Sequence, residues 1–314
     1  MSSALSATSY SLSTSFNEKA FVTVVKSGPD ASAHLASIVS DAANAAIICR
    51  GFFTLVLSGG SLPQYLSSLC NLNNINWSKV YIFFVDERNV PYDSPDSSYK
   101  LVREHLLSKI PIPGSNVFSI TEGLSVLEAA VDYNSRLHSL PPSVLPRIPA
   151  SSVNSSLSSP SALIEVPSFD LTLLGVGPDG HVASLFPGSS QLLDPETHAQ
   201  VAGMFAEPKK EEKCNPRSIW VLPVSDSPKP PSERITLTMP VINGSKEVII
   251  VSLGAGKADI IRDALEGFEP APKVTPGSPQ PLLPVQWVRS MNGPVRWILD
   301  EGAAAKLKGL SRAT

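Results

Sequence analysis

The sequence predicts an α/β protein whose sheet is largely parallel and covered by helices on both faces. Short apolar runs recur along the chain, and segments with helical periodicity separate them. Because parallel strands need a crossover between them, this alternation favours a parallel sheet over separate helical and β regions. The composition agrees with this, since 42% of the 314 residues are hydrophobic, enough for a sizeable core.

Eight apolar runs and five periodic segments are the predicted elements. Segment 31–48 is a clear helix, because Leu35, Ile38 and Val39 recur at helical spacing and would form one face packed on a sheet. The strands are shorter apolar runs bounded by turn residues. The predicted strands are 21–25, 53–57, 80–85, 169–174, 219–224, 248–253, 285–288 and 295–299, and the helices are 31–48, 62–70, 99–107, 126–138 and 257–265.

We expect a single domain that is interrupted by three surface insertions and flanked by two tails. Two insertions are rich in Pro and the third is highly charged, so none can sustain regular structure. The first tail is rich in Ser and Thr and has no charged side chain, which predicts disorder, although it faintly resembles a transit peptide. The domain spans 17–305, the insertions lie at about 140–167, 206–216 and 269–284, and the tails are 1–16 and 306–314.

Charge and cysteine content exclude several classes of function. The formal net charge is −3 and the basic residues are scattered, which argues against a nucleic-acid or membrane-surface partner. No run is expected to be long and apolar enough to span a membrane. The three cysteines, Cys49, Cys70 and Cys214, lack metal-type spacing, so a reducing compartment fits better than a disulfide framework or a zinc site.

Segment 169–187 carries the strongest signal of chemistry. An apolar strand is followed by a glycine-rich turn that presents Asp179 and His181, and then by a helix-like pattern. Ligands bind at the carboxyl ends of strands in open α/β sheets, and a histidine there can take a proton from water near neutral pH. The segment therefore indicates chemistry and not packing alone.

The same turn allows two other interpretations. Its glycines fit the dinucleotide fingerprint, but Asp179 puts a negative charge where a pyrophosphate would lie and Pro178 lacks a backbone N–H. No strand ending in an acidic residue follows at roughly 20 residues, which also counts against a dinucleotide site. In the other interpretation the glycines make a tight turn and His181 merely caps a helix, and the segment alone does not exclude this.

The loop Ser58–Ser61 follows a predicted strand and precedes a predicted helix. Ser58, Gly59, Gly60 and Ser61 would offer backbone N–H groups and hydroxyls to an anion, and a helix N-terminus favours negative charge. A phosphate fits this loop, although an ordinary strand-to-helix turn capped by Ser61 explains it about as well.

Two carboxylates and three cations stand at other strand ends. Asp86, Glu87 and Arg88 suit a hydroxyl-rich or anionic ligand, and their alternative is a local ion pair with a helix cap. Arg234 precedes an apolar run, and Lys257 follows a strand in a Gly-Ala-Gly-Lys turn. That turn is not a nucleotide-binding P-loop, because it lacks the Ser or Thr after the lysine. Since four strand ends share one sheet edge, they predict a phosphorylated polar substrate with His181 as base.

These motifs resemble those of the 6-phosphogluconolactonase family. The resemblance runs from the first predicted strand to 300–304, with the insertions as interruptions, and Ala255 stands where the family usually has Glu. It is carried by 58–61, 85–88 with 96–99, 175–181 with 183–187, and 225–231 with 233–237.

The resemblance implies hydrolysis of 6-phospho-D-glucono-1,5-lactone to 6-phospho-D-gluconate, the second step of the oxidative pentose phosphate pathway. It implies the three-layer Rossmann-like fold shared with glucosamine-6-phosphate deaminases and ribose-5-phosphate isomerases, with no cofactor and no metal. We expect a cytoplasmic monomer or weak homo-oligomer whose partner is the phosphosugar lactone.

The resemblance also implies roles for individual residues. His181 would be the base, Asp179 would orient it, and the oxyanion would be held by Arg88 or by backbone N–H groups of the 175–180 turn. The phosphate ligands would be Ser58, Gly59, Gly60, Ser61, Arg234 and Lys257, and Asp86, Glu87 and Gly177 would complete the substrate site.

Two alternatives stay open at this point. A glucosamine-6-phosphate deaminase or isomerase would share the phosphate loop, but the 225–231 block and Asp86-Glu87-Arg88 favour the lactonase. A non-catalytic phosphosugar-binding module is the second alternative. Regulators of that kind normally carry a DNA-binding segment, and the region before the first predicted strand is short and poor in basic residues.

Overall fold

A nine-stranded sheet forms the centre of the protein in a computed structural model that describes residues 7–14, 19–152, 165–192, 219–268 and 283–312. The strands are β1 Ala7–Ser13, β2 Lys19–Val25, β3 Phe53–Leu57, β4 Val80–Phe84, β5 Asp86–Arg88, β6 Val117–Phe118, β7 Arg147–Pro149, β8 Glu165–Pro167, β9 Leu171–Leu174, β10 Val221–Val224, β11 Arg234–Leu237, β12 Glu247–Ser252, β13 Arg296–Asp300 and β14 Ser311–Arg312. The α-helices are α1 Gly28–Arg50, α2 Ser98–His105, α3 Val126–Ser139, α4 Met239–Asn243, α5 Ala258–Glu266 and α6 Glu301–Ala304.

The sheet is mainly parallel, as the sequence predicted. Its order is β14-β1-β2-β13-β12-β9-β3-β4-β6. Every pair from β2 to β6 is parallel, and only β1 and β14 at one edge pair antiparallel. Leu57 at the end of β3 is in register with Phe84 of β4 and Leu173 of β9. The carboxyl ends of the central strands therefore meet at one edge.

Both faces of this sheet are buried. On β3, Leu57 packs in a core cluster with Leu35 of α1, whereas Val56 packs in a second cluster with Leu137 of α3. Successive strand residues point to opposite faces, so an apolar run with no alternation is what a sheet covered on both sides requires. The predicted α/β class is confirmed.

A smaller sheet lies beside the carboxyl edge of the large one. Strands β10, β11 and β5 pair antiparallel in that order, and Arg234 is in register with Arg88. The predicted strand 219–224 belongs to this sheet as β10 and not to the parallel one. The small sheet brings two arginines together that lie far apart in the sequence.

Three predicted elements are wrong in type. Segment 285–288 is a 3-10 helix, Pro284–Trp287, because Gln286 accepts a hydrogen bond from the N–H of Leu283 at 2.9 Å and closes a turn. Predicted helix 62–70 is also a 3-10 helix, Pro63–Asn71. The helix-like pattern after His181 consists of turns, in which Ala183 has a positive φ of 53° that an α-helix does not contain.

The predicted disordered tail is wrong for Ala7–Ser13, which forms strand β1 along β2. Leu12 is only 2% exposed and packs into the core, so this one buried side chain holds β1 in place although most of its residues are polar. The second tail contributes β14, which pairs with β1. The single domain over 17–305 stays a prediction.

The predicted insertions lie largely outside the described residues. This holds for all of 206–216, for 153–164 of the first insertion and for 269–282 of the third. The described ends of the first insertion are not irregular, because β7 and β8 pair as a short antiparallel ladder.

Helix α1 is the one described helix long and apolar enough to cross a membrane by length and composition, so the expectation that no run qualifies is wrong. Its apolar side is buried against the sheet, with Leu35 and Val39 almost fully inaccessible. This is the arrangement of a core helix in a packed domain.

Candidate active site

A cleft of about 230 Å³ opens where the carboxyl ends of β3, β9 and β12 meet the small sheet. This is the position at which open α/β sheets bind ligands. The structure brings most of the predicted site residues to this cleft. Those that line it are Ser58, Gly59, Gly60, Ser61, Asp86, Arg88, Gly177, His181 and Lys257.

His181 and Asp179 form a hydrogen-bonded pair in the turn after β9. His181 Nδ1 lies 2.5 Å from Asp179 Oδ1. Because the carboxylate can only accept, the proton lies on Nδ1 and the lone pair is on Nε2. The imidazole also packs on the ring of Phe186, with the ring centroids 4.6 Å apart. The turn therefore fixes both the tautomer and the direction of a base at the cleft.

The environment of this pair separates the pKa values of its two members. Burial lowers the pKa of His181 and nearby Lys229 lowers it further, against the opposing effect of Asp179. Burial acts to raise the pKa of Asp179, but hydrogen bonds from His181 and Lys229 outweigh it and bring that pKa to about 2. At neutral pH the imidazole is thus neutral and the carboxylate ionised, as general-base catalysis requires.

Lys229 belongs to the site although its side chain was not among the predicted site residues. Its Nζ lies 3.0 Å from Asp179 Oδ1 and 3.2 Å from His181 Nδ1. The sequence signal was a lysine beside Pro230 and Pro231 in a motif of the resemblance. That motif indicated a rigid turn, but not which group the ammonium would reach.

The loop after β3 is built to hold an anion. In the described part of the chain, the N–H groups of Gly59, Gly60 and Ser61 donate no hydrogen bond. Gly59 is required by close approach, because a Cβ there would lie 2.2 Å from Ser98 Oγ. Ser58 Oγ accepts the N–H of Gly175 at 3.3 Å and ties this loop to the catalytic turn. Three free amides at one strand end form a cradle for a phosphate.

Arg88 and Asp86 reach the cleft from β5 of the small sheet. Asp86 Oδ2 accepts a hydrogen bond from Ser184 Oγ at 2.8 Å and lies 4.0 Å from Arg88 Nε. Arg88 donates from Nη1 to the carbonyl oxygen of Asp96 at 3.1 Å, while its buried Nε has no partner among the described residues. The guanidinium therefore keeps hydrogen-bonding capacity beside the base.

The structure places Glu87 outside the cleft, against the prediction that it binds substrate. Its side chain is fully buried and accepts the backbone N–H groups of Arg88 at 2.9 Å, Ser98 at 2.7 Å and Tyr99 at 2.6 Å. Burial raises the pKa of Glu87 to about 7, against the lowering effect of these three donors. Glu87 therefore caps the start of α2 and holds Ser98 behind the phosphate loop.

Arg234 also lies outside the cleft, so its predicted role as a phosphate ligand is not what the structure shows. The residue is 2% exposed. It donates to the carbonyl oxygens of Pro231 at 3.0 Å, Lys229 at 2.9 Å and Pro230 at 3.1 Å. Its Nε and Nη2 therefore fix the loop that carries Lys229, while Nη1 reaches Ser184 Oγ at 3.5 Å.

The catalytic turn offers fewer oxyanion donors than expected. The N–H of Gly175 bonds to Ser58 Oγ, that of Gly177 to the carbonyl of His181 at 2.9 Å, and that of Gly180 to the carbonyl of Gly177 at 3.0 Å. These three N–H groups are occupied, whereas the N–H of Val176 donates no hydrogen bond in the described part of the chain, and Val176 lines the same cleft as Arg88.

Lys257 reaches the cleft from the turn after β12. Its Nζ donates to the carbonyl oxygen of Val176 at 2.8 Å, which joins this turn to the catalytic one. Burial lowers the pKa of Lys257, and Lys229 lowers it further. Nearby Ser252 lines the cleft with a buried hydroxyl that has no partner among the described residues, and no motif of the sequence indicated it. Both groups can meet a polar ligand.

Comparison with known proteins shows relatives along most of the chain. The family model described as glucosamine-6-phosphate isomerases/6-phosphogluconolactonase matches residues 27–297. The protein named 6-phosphogluconolactonase 3, chloroplastic, from Arabidopsis thaliana is 40% identical over 261 residues, which cover 82% of this chain and 66% of that protein. This chain thus spans just under two thirds of the length of that relative. Probable 6-phosphogluconolactonase 2 from Oryza sativa subsp. japonica is 34% identical and covers 91% of this chain and 89% of that protein.

Solved structures share the fold. The 6-phosphogluconolactonase from Leishmania guyanensis superposes with a TM-score of 0.64 at 25% identity, covering 90% of this chain and 96% of that one. A monomeric glucosamine-6-phosphate deaminase superposes with a TM-score of 0.57 at 18% identity, covering 91% and 99%. The second likeness concerns the fold alone.

Proposed function

This chain belongs to the family of glucosamine-6-phosphate isomerases and 6-phosphogluconolactonases, and we propose that it hydrolyses 6-phospho-D-glucono-1,5-lactone to 6-phospho-D-gluconate in the oxidative pentose phosphate pathway. One observation carries the proposal: the neutral imidazole of His181 lies in the same cleft as the free amides of the 59–61 loop. The 40% identity to a protein named 6-phosphogluconolactonase supports the choice of lactone over amino sugar.

In the proposed reaction, water attacks the lactone carbonyl carbon while His181 Nε2 removes one of its protons. Asp179, 2.5 Å from Nδ1, stabilises the imidazolium that forms. The carbonyl oxygen becomes an oxyanion, and Arg88 lies in the cleft to hold it.

Collapse of the tetrahedral intermediate then breaks the bond between the carbonyl carbon and the ring oxygen. The imidazolium returns its proton to that oxygen, which becomes the hydroxyl of the open chain. The new carboxylic acid loses its proton to solvent, so His181 ends the cycle neutral. A single group serves as base and then as acid, as in other acyl-transfer sites.

Substrate position is set at the other end of the cleft. The N–H groups of Gly59, Gly60 and Ser61 would bind the 6-phosphate, with Lys257 as a charged partner. A lactone is an activated ester, so general-base help of about 10²–10⁴-fold together with positioning is sufficient for an efficient enzyme.

The test follows the loss of freshly prepared 6-phosphogluconolactone with and without protein, corrected for spontaneous hydrolysis. We expect acceleration by the wild type and a loss of about 10²–10⁴-fold in His181→Ala, with unchanged circular dichroism. The matched control is His34→Ala, which changes a histidine that does not line the cleft. No acceleration by folded wild type, together with release of ammonia from glucosamine 6-phosphate, would instead make the protein a deaminase.

We further propose a cytoplasmic monomer or weak homo-oligomer with no nucleic-acid or membrane partner. The free thiols of Cys49 and Cys70 and the net charge of −3 support this. The chloroplastic name of the Arabidopsis relative makes that organelle the alternative. Imaging of the full chain fused to a fluorescent protein distinguishes the two locations, and light scattering measures the oligomeric state.

A further inference from the structure

We propose that Lys229 is a positioning residue for this reaction, whose ammonium holds Asp179 in place as the acceptor for His181 and sets a positive charge beside the imidazole before water attacks the lactone carbonyl. The inference rests on the proposed lactonase function, which it deepens. Lys229 acts through Asp179 and His181 and makes no contact with the reacting atoms.

The geometry is that of one oxygen shared by two donors. Asp179 Oδ1 receives Lys229 Nζ at 3.0 Å and His181 Nδ1 at 2.5 Å. The Asp179 side chain is 35% exposed, so without the ammonium its carboxylate would be free to rotate toward water. Since Nδ1 carries its proton toward Oδ1, it has no lone pair left to accept, and Lys229 Nζ at 3.2 Å from Nδ1 is a neighbouring charge and not a hydrogen-bond donor to it.

The turn that carries Lys229 is held by hydrogen bonds to the lysine's backbone. The N–H of Lys229 donates to Ser227 Oγ at 3.3 Å, and that hydroxyl donates to the Lys229 carbonyl at 2.8 Å. Arg234 Nη2 binds the same carbonyl at 2.9 Å. The side chains of Ser227 and Arg234 thus both fix the turn at Lys229. The hydrogen bonds of the buried arginine to backbone carbonyls therefore have a structural purpose.

Charges of both signs face His181 from three elements. Asp179 of its own turn and Asp86 of β5 favour the imidazolium, whereas Lys229 of the 225–231 turn opposes it. Lys257 of the turn after β12 is coupled to the same charges, because Lys229 lowers its pKa and Asp179 raises it. Two carboxylates near a catalytic histidine would favour its protonated form. Burial is the main effect that opposes them, Lys229 is the cation that adds to it, and Asp179 can still stabilise the imidazolium in the transition state.

The experiment compares Lys229→Gln, Lys229→Arg and the control Lys306→Gln. Lys306 also binds a carboxylate, Asp259 Oδ1 at 2.6 Å, but does not line the cleft. We expect the midpoint of the rise of kcat/KM with pH on the acid side, the acid limb, to lie about one pH unit higher in Lys229→Gln than in the wild type. The reason is that loss of a cation raises the pKa of His181. Lys229→Arg restores most of the shift, and Lys306→Gln leaves the profile unchanged.

A second readout separates this role from phosphate binding. Inorganic phosphate is used as a competitive inhibitor of each variant. An unchanged inhibition constant with a displaced acid limb supports the positioning role. A weaker inhibition constant and a raised KM with an unmoved acid limb would make Lys229 a phosphate ligand and overturn the proposal.

The role of Lys229 can also be tested without measuring lactone turnover. Titration of the His181 imidazole by NMR reports its pKa directly in wild type and in Lys229→Gln, whether or not the lactone is turned over. An upward shift of about one unit without lactone turnover by the wild type would leave the positioning geometry intact and remove the proposed function. Identical titration curves in the two proteins would refute the role of Lys229.

Discussion

The imidazole of His181 lies directly against the backbone of Gly177, so that a Cβ atom at position 177 would be 2.0 Å from both Nδ1 and Cε1. The same atom would be 2.7 Å from Asp179 Oδ1. Only a glycine leaves room for the catalytic pair in this orientation. Gly177 also lines the cleft, so its substrate-binding role stays a prediction beside this steric one.

Gly177→Ala is expected to displace the imidazole and to lower kcat by at least about 10²-fold, since errors near 1 Å in position have effects of this size. The control is Gly114→Ala, where an added Cβ meets nothing within 4 Å. Lactone turnover of the two variants, compared at equal folded fraction, checks the prediction. Wild-type kcat in Gly177→Ala would show that the ring is free to move.

The pH dependence of turnover follows from the state of His181. Its base form is required, and burial together with Lys229 holds its pKa below the ordinary value of 6.5. kcat/KM should therefore rise with pH through a single limb whose midpoint lies below 6.5, and then stay level through neutral pH. Asp179, with a pKa of about 2, stays ionised throughout and adds no second limb. Initial rates from pH 4.5 to 8 measure the midpoint, and a midpoint above 7 would contradict this environment.

The sequence predicted the edge of the sheet at which the site lies, because short apolar runs ending in Gly, Asp or His identify carboxyl ends of buried strands. It did not predict what each polar group binds. Glu87 and Arg234 look like ligand groups in the sequence, yet Glu87 accepts backbone N–H groups at the start of α2 and Arg234 donates to carbonyl groups of the turn just before it. Both residues lie on the small antiparallel sheet, whose register the sequence does not specify.

A separate set of charges holds the opposite end of the sheet. Asp170, just before β9, is bonded to Arg50, to the N–H of Thr54 at 2.8 Å and to Lys246 Nζ at 2.9 Å. Asp170→Ala would leave these donors without an acceptor. We expect a loss of about 2–3 kcal/mol in the free energy of unfolding, because buried donors lose their partner. Urea denaturation measures the loss, and kcat of the folded fraction should stay at the wild-type value.

The distinct placements of Arg234 and Lys257 predict opposite kinetic signatures. Arg234→Met removes the donors to Lys229, Pro230 and Pro231, so the turn that carries Lys229 should loosen and kcat should fall about tenfold or more. Lys257→Met removes a cation that lines the cleft, so KM should rise about tenfold with a smaller change in kcat. The two variants lose one positive charge each and serve as controls for one another. A raised KM with unchanged kcat in Arg234→Met would return Arg234 to the role of a phosphate ligand, and its burial would then have to be relieved when substrate binds.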